Sequence, residues 1–403
     1  MPSKRTNNTI TGPLGFRAGS VACGLKTGHA LDLAVLACEC PAVAAGVFTT
    51  NKVFAAPIAV CRKHLAAGQA QALVVNAGNA NACTGPGGMK DAQAMTVQTA
   101  RALGIDPQRV LVASTGIIGQ RLPMPRVRSG IDAAIGKLAD TPKAGREFAR
   151  AIMTTDRYPK TAFQQIHLDR CVVCIAGVAK GAGMIAPNMA TMLCFITTDV
   201  AISPTLLSRL FRHSVDKSFN AITVDNHMST NDTAVILASG LAGNATLKSL
   251  ASASKFAAAL DDICLDLALQ MVSDGEGATK GLEVAICGAR TVADARTAAL
   301  AVANSPLVKC ALFGGDPNWG RIISAVGACD IACRQERIDC RIGSQYVLRK
   351  GSPVSVDRRS LAKIMAAKVV QITVDLHMGR AEFCCYGCDL TPEYVRINAE
   401  YHT

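Results

Sequence analysis

Val172-Val-Cys-Ile-Ala-Gly-Val178 runs straight into Ala179-Lys-Gly-Ala-Gly-Met-Ile-Ala-Pro-Asn-Met-Ala-Thr-Met-Leu193, and the reading of this junction decides the fold. Residues 172–178 are dense in β-branched side chains and read as a buried strand. Gly181 and Gly183 then punctuate, and Pro187-Asn188 marks a turn. A second strand is predicted over 191–198. A small residue, Ala190, before a threonine, Thr191, between a turn and a core strand admits two readings. Composition alone favours a threonine that merely opens a strand. The alternative is an autocatalytic threonine whose hydroxyl attacks the preceding carbonyl. An N-to-O acyl shift would then break the Ala190-Thr191 bond. Thr191 would emerge as a chain start whose amine, with a reference pKa of roughly 7.7 to 8.0, can act as base for its own hydroxyl.

Outward from that junction, 403 residues, half of them apolar, suffice for two domains with real cores. One Trp and five Tyr leave the filling to small aliphatics, and strand-like stretches alternate with helix-like ones, so a layered α/β architecture is expected. The formal charge of +12 suits anionic partners, but the basic residues are scattered, with no helix-turn-helix, zinc-finger or RNP pattern. Carboxylate-bearing small molecules are therefore expected, and nucleic acid is not. Seventeen cysteines, an odd number, imply free thiols in a reducing compartment. Cys171/Cys174 and Cys385/Cys388 have metal-like spacing, but on a strand positions i and i+3 face opposite ways, so Cys171 and Cys174 would not converge on one ion. Residues 1–15 are polar, and no apolar run approaches the roughly 20 residues of a membrane span. A soluble, cytoplasmic protein without a membrane partner is expected.

Strands are predicted over 31–38 and 44–49, joined through Pro41, and from 73 to 75 into an asparagine- and glycine-rich run that reads as turns. Asp91 is a plausible cap for a helix over 91–103, and a strand over 110–113 ends in Ser114-Thr115-Gly116. A strand end followed by glycine presents backbone N–H groups outward, which suits an oxyanion hole as well as an ordinary turn. Helices are predicted over 123–138, 141–153, 204–219 and 249–272. A strand over 282–287 is expected to complete the catalytic layer. Beyond it a helix over 293–304, strands over 308–313 and 322–328, further strands through 356, a helix from 360 and a strand around 383 read as a smaller α/β unit. The only Trp, Trp319, lies there; pinning this unit to the first and lining a pocket are both open to it.

The wording from Lys180 to Leu193 resembles the cleavage segment of the glutamate N-acetyltransferase family, arginine-pathway enzymes also called ornithine acetyltransferases. Gly46-Val-Phe-Thr-Thr-Asn51, Asn76-Ala-Gly-Asn-Ala-Asn-Ala-Cys-Thr-Gly85, Ser114-Thr-Gly116, Asp274-Gly-Glu-Gly-Ala-Thr-Lys280, Asp316-Pro-Asn-Trp-Gly-Arg321 and Ile397-Asn-Ala-Glu-Tyr-His-Thr403 follow as blocks of that family in its order. The resemblance implies an αββα-type sandwich of the self-processing, N-terminal-nucleophile kind over 1–283. A smaller α/β domain over 284–403 would send its tail back to the active site. It implies cleavage between Ala190 and Thr191, a Thr191 nucleophile, and an oxyanion hole from the Thr115 hydroxyl and the Gly116 N–H. Thr154, Lys180, Thr191, Glu276, Asn398 and Thr403 are implied to bind substrate, and the 76–85 run to wall the site.

The implied reaction moves acetyl from N-acetylornithine to glutamate without metal or cofactor, with acetyl-CoA as a second donor in some members. The implied assembly is a dimer of cleaved protomers, α chain 1–190 and β chain 191–403. One loop departs from the family: Asn226, His227 and Met228 stand where its members usually have Gly, Asp and Thr. His227 reads as a loop substitution rather than a new base. The runner-up is a self-processing aminopeptidase or amidase of related fold. A non-enzymatic basic binding protein is the more distant rival.

Overall fold

A computed structural model of the chain describes residues 6–186 and 192–400. Ala190, Thr191 and Thr403 therefore lie outside the described residues. The strands of the first sheet are β1 (Phe16–Val21), β2 (Leu33–Phe48), β3 (Gln69–Asn79), β4 (Val110–Ile117), β5 (Lys160–Leu168), β6 (Cys171–Lys180), β7 (Leu193–Thr198) and β8 (Thr233–Ala238). They run in the order β4-β3-β2-β8-β7-β6-β5, with β1 also on β2. The second sheet holds β9 (Gly281–Ala289), β10 (Asp339–Ile342), β11 (Gln345–Arg349), β12 (Ser352–Pro353), β13 (Val369–Asp375) and β14 (Ala381–Cys388), in the order β12-β11-β10-β13-β9-β14. The helices are α1 (Ala56–His64), α2 (Gly85–Leu103), α3 (Met124–Ile135), α4 (Pro142–Ala151), α5 (Pro204–Lys217), α6 (Ser254–Ser273), α7 (Val292–Asn304), α8 (Pro306–Gly314), α9 (Trp319–Gly327), α10 (Arg358–Met365) and α11 (Pro392–Glu400).

Alternation along β6, β7 and β8 builds the layers. Val178, Phe195, Val235 and Leu237 join one core with Val60 of α1, Met95 of α2, Ile131 of α3 and Phe148 of α4. Ile175, Ile196 and Ile236 face a second core with α5 and α6. Such period-two burial on both faces is what a sheet enclosed in a layered α/β sandwich requires. On α6, Phe256, Leu260, Ile263, Leu267 and Met271 recur at spacings of three and four and are all buried. Each such side chain contributes roughly 1.5 to 3 kcal/mol of burial.

Four local expectations change. The strands over 31–38 and 44–49 are one sixteen-residue strand, β2, whose pairing with β3 shifts register between Ala37 and Ala42. Pro41, which lacks an N–H, falls within that irregularity. Asp91 does not cap a helix: α2 begins six residues earlier at Gly85, and Asp91 is buried inside it, ion-paired to Arg121 at 2.8 Å. The strand over 282–287 does not complete the catalytic layer, because β9 pairs with β13 and β14 in the second sheet. Finally, 308–313 and 322–328 are helical, in α8 and α9. Ser305 and Asn318 accept backbone N–H groups as their N-caps, and Gly315 closes α8 in the left-handed conformation. A short apolar run has no periodicity that tells strand from helix, and here the caps decide.

Candidate active site

The site forms where the ends of β4 and β6 meet the loop after α6. At the end of β4, Gly116 has φ +131°, and a Cβ there would lie 2.3 Å from the Gly78 carbonyl carbon, so only glycine fits. Across from it Lys180, the last residue of β6, is buried and donates from Nζ to Thr115 Oγ1 at 3.2 Å. A hydroxyl that accepts on its oxygen keeps its own proton free to be donated elsewhere. Burial lowers the Lys180 pKa, while the Asp156 carboxylate works against that fall.

The glycines after Lys180 serve close approach. The Gly181 N–H donates to Asp156 Oδ1 at 2.7 Å. A Cβ on Gly183 would stand 2.3 Å from Glu276 Oε2, so the bare backbone lets the Glu276 carboxylate lie against it. The Glu276 N–H also donates to the Ala182 carbonyl at 2.8 Å. On the other side of that carboxylate, Asn398 of α11 donates to Glu276 Oε2 at 2.9 Å. Thr154 is held by its N–H on Asp156 Oδ2 at 2.9 Å. Asp156 is in turn paired with the fully buried Lys160, which also donates to Asp274 Oδ2 at 2.5 Å. Burial alone would raise the Asp156 carboxyl, but Lys180 and Lys160 hold it below the usual carboxylate range.

Thr115, Gly116, Thr154, Lys180, Glu276 and Asn398 thus line one cavity of about 270 Å³, a size suited to an amino-acid-sized ligand. All six described residues picked from the sequence meet there. Ala190, Thr191 and Thr403 lie outside the described residues; the strand that follows the first two begins at Leu193, which pairs with Lys180 on one side and with Thr233 on the other. Of the 76–85 run only Ala80 reaches the cavity. Its asparagines cap turns instead, Asn76 on the Asn79 carbonyl at 2.8 Å and Asn81 on that of Gly88 at 2.9 Å. Trp319 packs on the core of the second sheet and is not among the cavity residues.

Sequence reasoning missed Asp225, Ser229, Thr230, Asn231 and Tyr394, all in the lining. Asp225 accepts the N–H groups of Met184 at 2.6 Å and Ile185 at 2.8 Å, and the Tyr394 hydroxyl at 3.2 Å. The dense run of polar residues over 225–232 was the available signal. Asn226 has φ +57°, a conformation glycine takes freely and asparagine tolerates best among the other residues. The loop thereby keeps its turn without glycine, and His227 faces the cavity.

The ArgJ family model matches residues 17–403. The chain belongs to the ArgJ family. The arginine biosynthesis bifunctional protein ArgJ of Symbiobacterium thermophilum is 47% identical over 397 residues, covering 98% of each chain. Its namesake from Geobacter sulfurreducens is 46% identical over 391 residues, 96% of this chain and 99% of that one. Among solved structures, the ArgJ protein of Bacillus halodurans is 42% identical with a TM-score of 0.50, and the match covers 51% of this chain and 98% of the other. The two sheets of this chain, with the larger one covered by a core on each face, carry the layered α/β architecture expected from the sequence.

Proposed function

We propose that the chain is a self-cleaving threonine acetyltransferase of arginine biosynthesis, which moves acetyl from N-acetylornithine to glutamate. The observation that carries this reading is the meeting of Thr115, Gly116, Lys180 and Glu276 around one cavity, with the 190–191 junction leading into the strand paired to Lys180. The Bacillus halodurans chain is about half the length of this one, as expected of a protein cut near residue 190.

In the mature protein, Thr191 Oγ attacks the acetyl carbonyl carbon while the free amine of Thr191 takes the hydroxyl proton. The tetrahedral oxyanion receives hydrogen bonds from the Thr115 hydroxyl and the Gly116 N–H. Each such donor is worth on the order of 2.7 to 4 kcal/mol in acyl-transfer enzymes. The C–N bond then breaks, the departing amine takes the proton back, and ornithine leaves an acetyl ester on Thr191. The glutamate amine attacks that ester by the reverse route and leaves as N-acetylglutamate. Glu276 pairs with substrate ammonium and Lys180 with substrate carboxylate, while Thr154, Asn398 and Thr403 complete the binding surface.

No metal or cofactor is needed for this chemistry. The relatives' name, "bifunctional", favours acetyl-CoA as a second acetyl donor. A dimer of cleaved protomers in the cytoplasm completes the reading; among the described residues no single helix is long and apolar enough to cross a membrane. Two half-reactions through one ester give ping-pong kinetics. With acetyl-labelled N-acetylornithine, label is expected in N-acetylglutamate only when glutamate is present. Label released as acetate at the same rate with or without glutamate contradicts the transferase and favours the amidase.

A further inference from the structure

The cavity has an apolar wall beside Gly116 that the reaction above leaves unused. Apart from glycines, the described cavity side chains without nitrogen or oxygen are those of Ala80, Ile118 and Met184. Met184 belongs to the charged side, where its N–H donates to Asp225 Oδ2 at 2.6 Å. Ala80 and Ile118 instead stand together, each the first residue past its strand, β3 and β4. The Ala80 N–H donates to the Ile117 carbonyl at 2.9 Å. Behind them Ala55, Ile58 and Ala82 complete a small apolar cluster, separate from the large cores, on which Ile118 packs partly buried.

This wall is pinned to the strand end that carries Thr115 and Gly116. Asn231, buried in the cavity lining, donates from Nδ2 to the Ala80 carbonyl at 2.6 Å and to the Ser114 carbonyl at 2.8 Å. The Thr230 hydroxyl donates to Asn231 Oδ1 at 2.6 Å, which fixes the end of the amide that faces the two carbonyls. Buried polar groups satisfied in this way hold one arrangement of the backbone.

The substrates proposed above give such a wall its use. N-acetylornithine and glutamate are charged at every terminus except one, the methyl of the acyl group. An acyl oxygen held by the Thr115 hydroxyl and the Gly116 N–H has that methyl two bonds away, so the methyl must rest close to the same strand end. We propose that Ala80 and Ile118 form the acyl subsite, and that Ile118 sets the length of acyl chain the protein transfers. An acetyl group fits against the wall. A longer straight chain meets the Ile118 side chain, packed on its cluster and next to a backbone that Asn231 keeps from yielding.

The inference rests on the acetyl-transfer reading, and a competition keeps the two apart. Wild type, Ile118→Val and Ile118→Ala are each given equal N-acetylornithine and N-butyrylornithine together with glutamate. Mass spectrometry then reads the ratio of N-acetylglutamate to N-butyrylglutamate, which does not depend on how much of a preparation is active. One methylene in an apolar pocket changes such a ratio by about 10- to 200-fold. Wild type should therefore favour acetyl, and Ile118→Ala should reduce that preference at least about tenfold, with Ile118→Val between the two. KM for glutamate, which brings no acyl group, should stay at the wild-type value in both variants. Weakened packing alone would lower both products together and leave the ratio unchanged. Wild type yielding neither product overturns the transfer reading and the subsite with it. Wild type yielding N-acetylglutamate but showing no acetyl preference, or Ile118→Ala keeping the wild-type ratio, overturns the subsite alone.

Discussion

Gly183 shows how one missing Cβ shapes the site. Its place in a glycine-rich loop is plain from the sequence, which explains it only as a break between strands. The Glu276 carboxylate resting against its backbone belongs to a segment more than ninety residues away, and no local signal announces that contact. Gly183→Ala should push Glu276 off its partner Asn398 and raise KM for the amino-acid substrates about tenfold, equivalent to ~1.4 kcal/mol. Steady-state kinetics at varied glutamate would check this, and an unchanged KM would remove Glu276 from substrate binding. Thr115 makes the complementary case. Thr115→Val keeps the side chain's shape but removes the hydroxyl that accepts from Lys180. It should lower kcat by 10²- to 10³-fold with little change in KM, since an oxyanion donor acts mainly in the transition state. Thr115 and Gly116 were legible as a strand end followed by glycine. Asp225 was not, because a carboxylate that accepts three backbone N–H groups, those of Met184, Ile185 and His227, looks in sequence like any acidic loop residue.

Among the elements, β6 and α6 follow directly from their patterns, one from β-branched density and the other from its three-and-four spacing. Helices α8 and α9 do not, since Val308-Lys-Cys-Ala-Leu-Phe313 is too short for periodicity to speak. The overlooked evidence was Ser305-Pro306 and Asn318, residues that start helices. What locks the elements around the cavity is the buried set Asp156, Lys160 and Asp274, to which Arg157 adds an ion pair with Asp274 at 2.8 Å. Removing one partner strands a buried charge, so Lys160→Met should cost about 3 to 5 kcal/mol. Urea midpoints would measure it. The Asp156 pKa is depressed in the folded state. Its stabilisation is therefore complete above the unfolded carboxylate value of about 3.9 and is lost as pH falls through the lower folded value. Wild type should lose stability along that acid limb, and Lys160→Met should lose less of it, because its Asp156 lacks part of the cause of the depression.

The molecule as a whole depends on how its two sheets are joined, which pattern reading along one chain could not reach. Lys309 of α8 is buried, and its Nζ donates to the carbonyls of Val224 at 2.8 Å and Cys388 at 2.6 Å. The loop leading to Asp225 is thereby tied to the end of β14, with the Thr223 N–H on the Tyr386 carbonyl at 2.9 Å beside it. Lys309→Met should lower the melting temperature and raise KM, because charge-assisted hydrogen bonds of about 1.5 to 3 kcal/mol each would be lost from the wall that carries Asp225. A melting curve alongside substrate titrations would separate the two effects. All of these parts surround a junction, Ala190 to Thr191, whose cutting the account requires. Intact mass spectrometry of purified protein after brief exposure to N-acetylornithine tests it most directly. Wild type should give fragments 1–190 and 191–403, the second partly heavier by one acetyl group that glutamate removes, while Thr191→Ala should stay full length and unlabelled. A wild-type chain that remains a single full-length species, active and without an acetylated fragment, would contradict the account.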